Sequence, residues 1–153
     1  MSFSKNLPIA IGSDHAGYEV KEQLKKLIES HGYSVDDKGT HSGDSTDYPD
    51  YAHPVANAVE IGTAAAGILV CGSGNGVCMT ANKHHGVRAA LTWNTELAEL
   101  ARQHNDANIL CVPARYVDEK LAEEMVEAFL KTDFEGGRHQ KRVEKIEAGA
   151  KPE

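Results

Sequence analysis

No apolar run in this chain approaches the ~18 residues of a membrane span, so none is expected. The opening stretch, Met1-Ser2-Phe3-Ser4-Lys5-Asn6, lacks the apolar segment of a secretory leader. Cysteine is scarce: three residues, with no CxxC-type pairing, which excludes a disulfide framework and favours a reducing cytoplasm. Positive charge is in deficit as well. Sixteen Lys and Arg against 23 Asp and Glu leave a formal net charge of −7, which argues against a general nucleic-acid binder. A small anionic ligand stays open, because a few local arginines outweigh the global balance. Linkers, internal repeats and low-complexity tracts are also missing. The 153 residues, 41% of them hydrophobic, read as one domain over 1–153 with a core of its own and a frayed end from about residue 149.

What is present is alternation. Short apolar runs predict strands at 7–11, 33–37, 67–70, 87–91 and 109–112. Segments with helical apolar spacing predict helices at Tyr18–Ser30, 51–61, 77–83, 96–103, 118–131 and 138–147. The strands are continuously apolar, as doubly covered strands should be. The expected fold is α/β: a three-layer α/β/α Rossmann-like sandwich around a five-stranded parallel sheet.

In such a sheet the loops after the strands share one edge. They carry Asp14 and His15, then Asp44, Asp47 and Tyr48, then Cys71, Ser73 and Asn75, and finally Arg115. The run Cys71-Gly72-Ser73-Gly74-Asn75-Gly76 is the densest signal. It is not a dinucleotide fingerprint, because Val77 stands where the third glycine belongs, and no Gly-Lys-Ser/Thr makes it a P-loop. A phosphatase-type cysteine loop would need an arginine near Val77 and Cys78. Two readings remain: a tight strand-to-helix turn, or a nest of N–H groups for a developing oxyanion beside Cys71 as base or nucleophile.

Other residues also divide. Asp14-His15 is either a helix N-cap region or a donor to phosphate or hydroxyl. His104-Asn105-Asp106 is a hydrated helix end or a contact for sugar hydroxyls. Arg138 and Arg142, four apart beside Lys141, form a phosphate clamp or a solvated charged helix end. His84 and His85 suit a helix C-terminus. His41, Asp44, Asp47 and His53 are metal-capable types at a spacing that matches no standard site. Cys78 and Cys111 fall inside a predicted helix and strand and read as structural.

On these residues the chain closely resembles the RpiB/LacAB family of sugar-phosphate isomerases. The matching pieces are Gly12-Ser13-Asp14-His15-Ala16-Gly17, Thr46-Asp47-Tyr48-Pro49, Cys71 to Gly76, Ala81-Asn82-Lys83, Arg102-Gln103-His104-Asn105-Asp106 and Gly136-Gly137-Arg138-His139. They run in the family's order over nearly the whole chain. The resemblance implies a metal-free and cofactor-free aldose–ketose isomerase of the pentose phosphate pathway, acting on ribose 5-phosphate and ribulose 5-phosphate. It implies Cys71 as the general base through a cis-enediolate, with Ser73 assisting and the N–H groups of Gly72, Ser73, Gly74, Asn75 and Gly76 holding the enediolate oxygen. Asp47 is placed near Cys71 and the reacting hydroxyls, with Tyr48 in the pocket.

By the same resemblance His104 helps open the furanose ring. His15, Arg115, Arg138 and Arg142 hold phosphate, and Asp14 and Asn105 meet hydroxyls. Homodimers or tetramers with shared sites are implied, with neither nucleic acid nor membrane as partner. One family branch uses a glutamate a few residues after the glycine loop as its base. Val77 stands there in this chain, and Cys71 is kept, as in the cysteine branch. Ser73 replaces the threonine of many relatives and retains the hydroxyl. Alternatives are a six-carbon substrate such as allose 6-phosphate, with pocket length set near Asp44 to Tyr48 and Trp93, and a non-catalytic phosphosugar-binding module.

Overall fold

The computed structural model describes residues 3–150. Five strands, β1 (Ile9–Ser13), β2 (Val35–Asp37), β3 (Ala66–Cys71), β4 (Ala89–Leu91) and β5 (Ile109–Pro113), form one parallel sheet in the order β2-β1-β3-β5-β4. Six helices join them: α1 (Tyr18–Ser30), α2 (Pro49–Glu60), α3 (Asn75–Ala81), α4 (Thr95–Asn105), α5 (Glu119–Lys131) and α6 (Arg138–Ala150). This is the expected Rossmann-like α/β arrangement. None of these helices is long and apolar enough to cross a membrane.

Alternation along each central strand divides the core. Ile9, Ile11, Ile68, Val70, Leu110 and Val112 face one layer, with Leu24 and Ile28 of α1 and Met125 and Phe129 of α5. Ala10, Leu69, Cys71, Ile109 and Cys111 face the other, against Val55 and Ala56 of α2 and Val77 and Ala81 of α3. Helix α2 sits close to β1 because residue 12 has no side chain: a Cβ there would lie 2.8 Å from the Tyr51 carbonyl oxygen. That contact brings the N-terminus of α2, and Tyr48 before it, over the sheet's C-terminal edge.

Element boundaries move for identifiable reasons. β1 begins at Ile9 rather than residue 7 because Pro8 has no N–H for the ladder. It continues through Gly12 and Ser13, which pair with Leu69 and Val70 of β3. Proline at the first helical position starts α2 at Pro49, two residues early. Asn94 and Asp118 cap α4 and α5, accepting from Leu97 N–H (2.9 Å) and Leu121 N–H (2.7 Å).

Lys21 departs from the amphipathic reading of α1. Its side chain is fully buried, and its Nζ donates to Asp37 (2.7 Å) and Glu22 (3.0 Å). Lys25 also reaches Asp37, at 2.8 Å. Burial works to raise the Asp37 carboxyl, but hydrogen bonds from Lys21, Lys25 and the Gly39 N–H outweigh it and hold the group below its ordinary value. A carboxylate depressed on folding adds stability above its unfolded value of about 4, and this is lost as pH falls through the lower folded value. Asp37→Asn leaves the buried ammonium paired with the half-buried Glu22 alone and is expected to cost about 1–3 kcal/mol at pH 7. Denaturant unfolding should show that gap, narrowing as pH drops below about 4.

Candidate active site

The chain winds outward from β1 to β2, then crosses back to β3 and proceeds the other way. The β1/β3 boundary is thus the topological switch point, where parallel sheets open a crevice beyond their strand ends. Asp14 follows β1 there, its N–H donating to the Val70 carbonyl at 3.3 Å, and Cys71 ends the adjacent β3. A cleft of about 270 Å³ opens at this point. Its floor is Asp14, His15, Cys71, Gly72, Ser73 and Gly76, and Tyr48, Arg115 and Tyr116 form its walls.

Each wall is held by backbone chemistry. Asp14 caps the 3-10 turn at His15–Gly17, its Oδ1 accepting from Gly17 N–H at 3.1 Å, so the capping reading holds at a residue that also lines the cleft. The loop after β5 is tied to the glycine loop: Ala114 N–H donates to the Cys71 carbonyl (2.9 Å) and Arg115 N–H to that of Gly72 (3.0 Å). Arg115 is thereby laid across Gly72, where a Cβ would stand 3.2 Å from its Cδ. Gly74 adopts φ +75°, which favours glycine, at the N-cap of α3. Gly76 lets the Tyr48 ring approach; a Cβ would meet it at 2.6 Å. The first N–H groups of α3 have no partner within that helix: that of Asn75 donates to Ser73 Oγ at 3.3 Å, and Gly76 lines the cleft. Helix α3 starts at Asn75, two residues before the predicted start, because the left-handed Gly74 turns the chain into it directly.

Cys71 is 5% exposed. Of the other two thiols, Cys111 is buried in the core and Cys78 is half-buried against it. Burial, then its contact with Cys78, pushes the Cys111 thiol well above its ordinary value, so it stays protonated. Cys78 is lowered by its hydrogen bond with Cys111, against the opposing effect of burial. Asp47 is exposed on the loop that carries Tyr48 and is not among the cleft walls. Asn75 lies beside the cleft, in an adjoining hollow of about 410 Å³ shared with Ser73, Trp93 and Tyr116.

His104, Asn105, Arg138 and Arg142 are elsewhere. They sit where α4 ends and α6 begins, before β5 enters the sheet, at the edge opposite the cleft. The five residues of β5 separate the two edges by roughly 15 Å, at about 3.3 Å per residue. The second cluster is well built. His104 stacks on the buried His139 with ring centroids 4.3 Å apart and planes 17° apart. Burial, then the neighbouring charges of His104 and Arg138, holds His139 below its ordinary value. Arg102, 3% exposed, anchors the end of α4 through Asp106 (2.9 Å) and the Ala107 carbonyl (2.6 Å). Ligand atoms of His104, Glu135 and His139 lie within 4.8 Å of one another. The rings lie face to face, however, so their in-plane lone pairs run parallel rather than meeting at one ion.

His84 lies beyond the end of α3, between Glu60 (3.0 Å) and His53 (2.8 Å), and His85 pairs with Glu147 (2.8 Å). His84 N–H also donates to the carbonyl of Ala81, the last residue of α3, so the helix-terminus reading holds alongside these side-chain pairs. Tyr116, directly after Arg115, lines the cleft without carrying a sequence signal of its own. Thr46 reaches the cleft only through His15, a partnership that nothing local in the sequence marks.

A family model described as Ribose/Galactose Isomerase matches residues 9–146. The chain belongs to the ribose/galactose isomerase family. It is 46% identical over 140 residues to ribose-5-phosphate isomerase B of Escherichia coli, covering 92% of this chain and 94% of that protein. Among solved structures, ribose-5-phosphate isomerase B of Clostridium thermocellum aligns with a TM-score of 0.91 at 46% identity, over 93% of this chain and 96% of that one. The Mycoplasma genitalium ribose-5-phosphate isomerase B with bound ribulose-5-phosphate aligns with a TM-score of 0.92 at 42% identity, over 95% and 97% of the two chains.

Proposed function

We propose that this family member interconverts ribose 5-phosphate and ribulose 5-phosphate, with Cys71 moving a proton between C2 and C1 through a cis-enediolate. The observation that carries the reading is the cleft itself. A thiol at the end of β3 shares it with a glycine loop, and donors on Arg115 and His15 face the same space. The proton α to a carbonyl is weakly acidic, so its removal needs fixed donors at the oxygen that takes up charge. N–H groups of the Gly72–Gly76 loop supply them, and Ser73 assists from the same loop. Asp14 meets a substrate hydroxyl from within the cleft; Asp47, outside its lining, reaches the substrate only if the loop that carries Tyr48 closes over it.

Half of the proposed machinery lies at the other sheet edge. In a symmetric dimer, the partner's copy of that edge brings His104 for ring opening, Asn105 for a hydroxyl and Arg138 with Arg142 for the phosphate into this chain's cleft. Such a shared site explains why one chain shows two half-sites.

The test is incubation of the purified protein with ribose 5-phosphate in EDTA, following ribulose 5-phosphate. Rapid turnover is expected; its absence overturns the reading. The hollow beside Ser73 gives room for a longer chain, which makes a six-carbon phosphate the second reading. Higher kcat/KM on such a substrate than on ribose 5-phosphate would favour it.

A further inference from the structure

We infer that the backbone amide of Thr46 sets the tautomer of His15, so that the cleft receives an N–H donor from Nε2; the donor's role in catalysis rests on the isomerase reading above. Thr46 N–H donates to His15 Nδ1 at 3.1 Å. In return, His15 N–H donates to Thr46 Oγ1 at 3.2 Å. These two bonds close a ring between residues 31 apart in sequence.

A backbone amide only donates. The nitrogen that receives it must present a lone pair, so in the neutral ring the single proton resides on Nε2. A side-chain hydroxyl at this point could rotate and accept either tautomer, whereas an amide cannot. Nε2 lies across the ring from the clamp, and His15 is one of the residues that line the cleft. The chemical partner of such a donor is an acceptor-only oxygen, as on a phosphate. Arg115, in the same cleft, also only donates. Asp14, the neighbouring acceptor, already has Oδ1 engaged by Gly17. His15 and Arg115 therefore define a donor end for the anionic part of the substrate.

The clamp also ends an exposed excursion. The loop leaves β2 tied to β1, with the Gly39 carbonyl accepting from Ser13 N–H (2.7 Å) and Thr40 N–H donating to the Ser13 carbonyl (2.8 Å). Residues 41–45 are then exposed, and the chain is caught again at Thr46, two residues before Tyr48. Thr46 is thus a positioning residue, acting through His15.

The tautomer is read from the ring nitrogen shifts of ¹⁵N-labelled protein. Wild type should show a lone-pair Nδ1 and a protonated Nε2, and ribose 5-phosphate should move the Nε2 signal. A predominantly Nδ1–H ring, or an Nε2 signal indifferent to a substrate that is turned over, overturns the proposal. Thr46→Val keeps the amide and should keep the tautomer, and Thr46→Pro removes the amide and should release it to a mixture. Should Thr46→Pro fail to fold, two variants of His15 decide. A glutamine side chain places its amide at the Nε2 position of the ring, and an asparagine side chain reaches only the Nδ1 position. His15→Gln is expected to raise KM a few-fold and His15→Asn at least about tenfold, the worth of a charge-assisted hydrogen bond, with kcat moved less. Equal KM values for the two overturn the donor assignment. A chain with no turnover of ribose 5-phosphate sinks the isomerase reading, while the ring shifts still decide the tautomer.

Discussion

Cys71→Ala is expected to abolish isomerisation and leave the fold intact. The thiol sits at the end of a central strand, 5% exposed, in the same cleft as the glycine loop. Removing a positioned base lowers kcat by about 10²- to 10⁴-fold, and in this cleft neither Asp14 nor His15 replaces it: the clamps described above engage Asp14 Oδ1 and His15 Nδ1. Deleting one sulfur from a packed wall costs about 1 kcal/mol, well within what a domain tolerates. The measurements are ribulose 5-phosphate formation, solvent deuterium incorporation into the sugar, and the unfolding midpoint. Retained full activity would remove Cys71 from proton transfer. Lost activity with a collapsed midpoint would show a structural role instead.

The second large effect concerns the two half-sites. Arg138→Ala combined with Arg142→Ala is expected to lower kcat/KM for ribose 5-phosphate by about 10²-fold or more, because two charge-assisted contacts to the phosphate are lost. The loss should appear chiefly in KM. Both arginines are exposed, so the fold should not change. If they act on a partner's cleft, this variant and Cys71→Ala should complement each other. Each alone is inactive at low substrate. In a hybrid dimer one site collects both defects and the other collects neither. Activity recovered after mixing, dissociation and reassembly would establish the shared site. Complete failure to recover, with hybrids demonstrated by mass spectrometry, would place all the arginine effect within one chain.

Much of this architecture was legible from residue order. Apolar runs without alternation marked the doubly covered strands β1, β3 and β5, whereas β2 and β4 are half-buried edge strands, and the amphipathic spacing of α1 gave its bounds, Tyr18–Ser30, to the residue. Glycine spacing and the cysteine before it located the chemistry at the end of β3. The parallel topology then placed Asp14, His15, Cys71 and Arg115 on one edge, as the structure has them. These features are local or follow from rules of chain connection, so the sequence carries them.

Tertiary structure decided what depends on pairing between distant residues. Lys21 looked like a polar position on a helix, and only the arrival of Asp37 on the neighbouring strand makes its burial tolerable. Thr46 had no local mark of partnership with His15, because a backbone amide looks alike at every position in a sequence. His104, Asn105, Arg138 and Arg142 were listable as chemistry-bearing residues, but their distance from Cys71 follows from which end of β5 the chain enters. By itself the sequence determined the sheet, the cysteine loop and the chemistry available. Folding determined which donors share a cleft, since hydrogen bonds are short-ranged and strand order sets what lies within their reach.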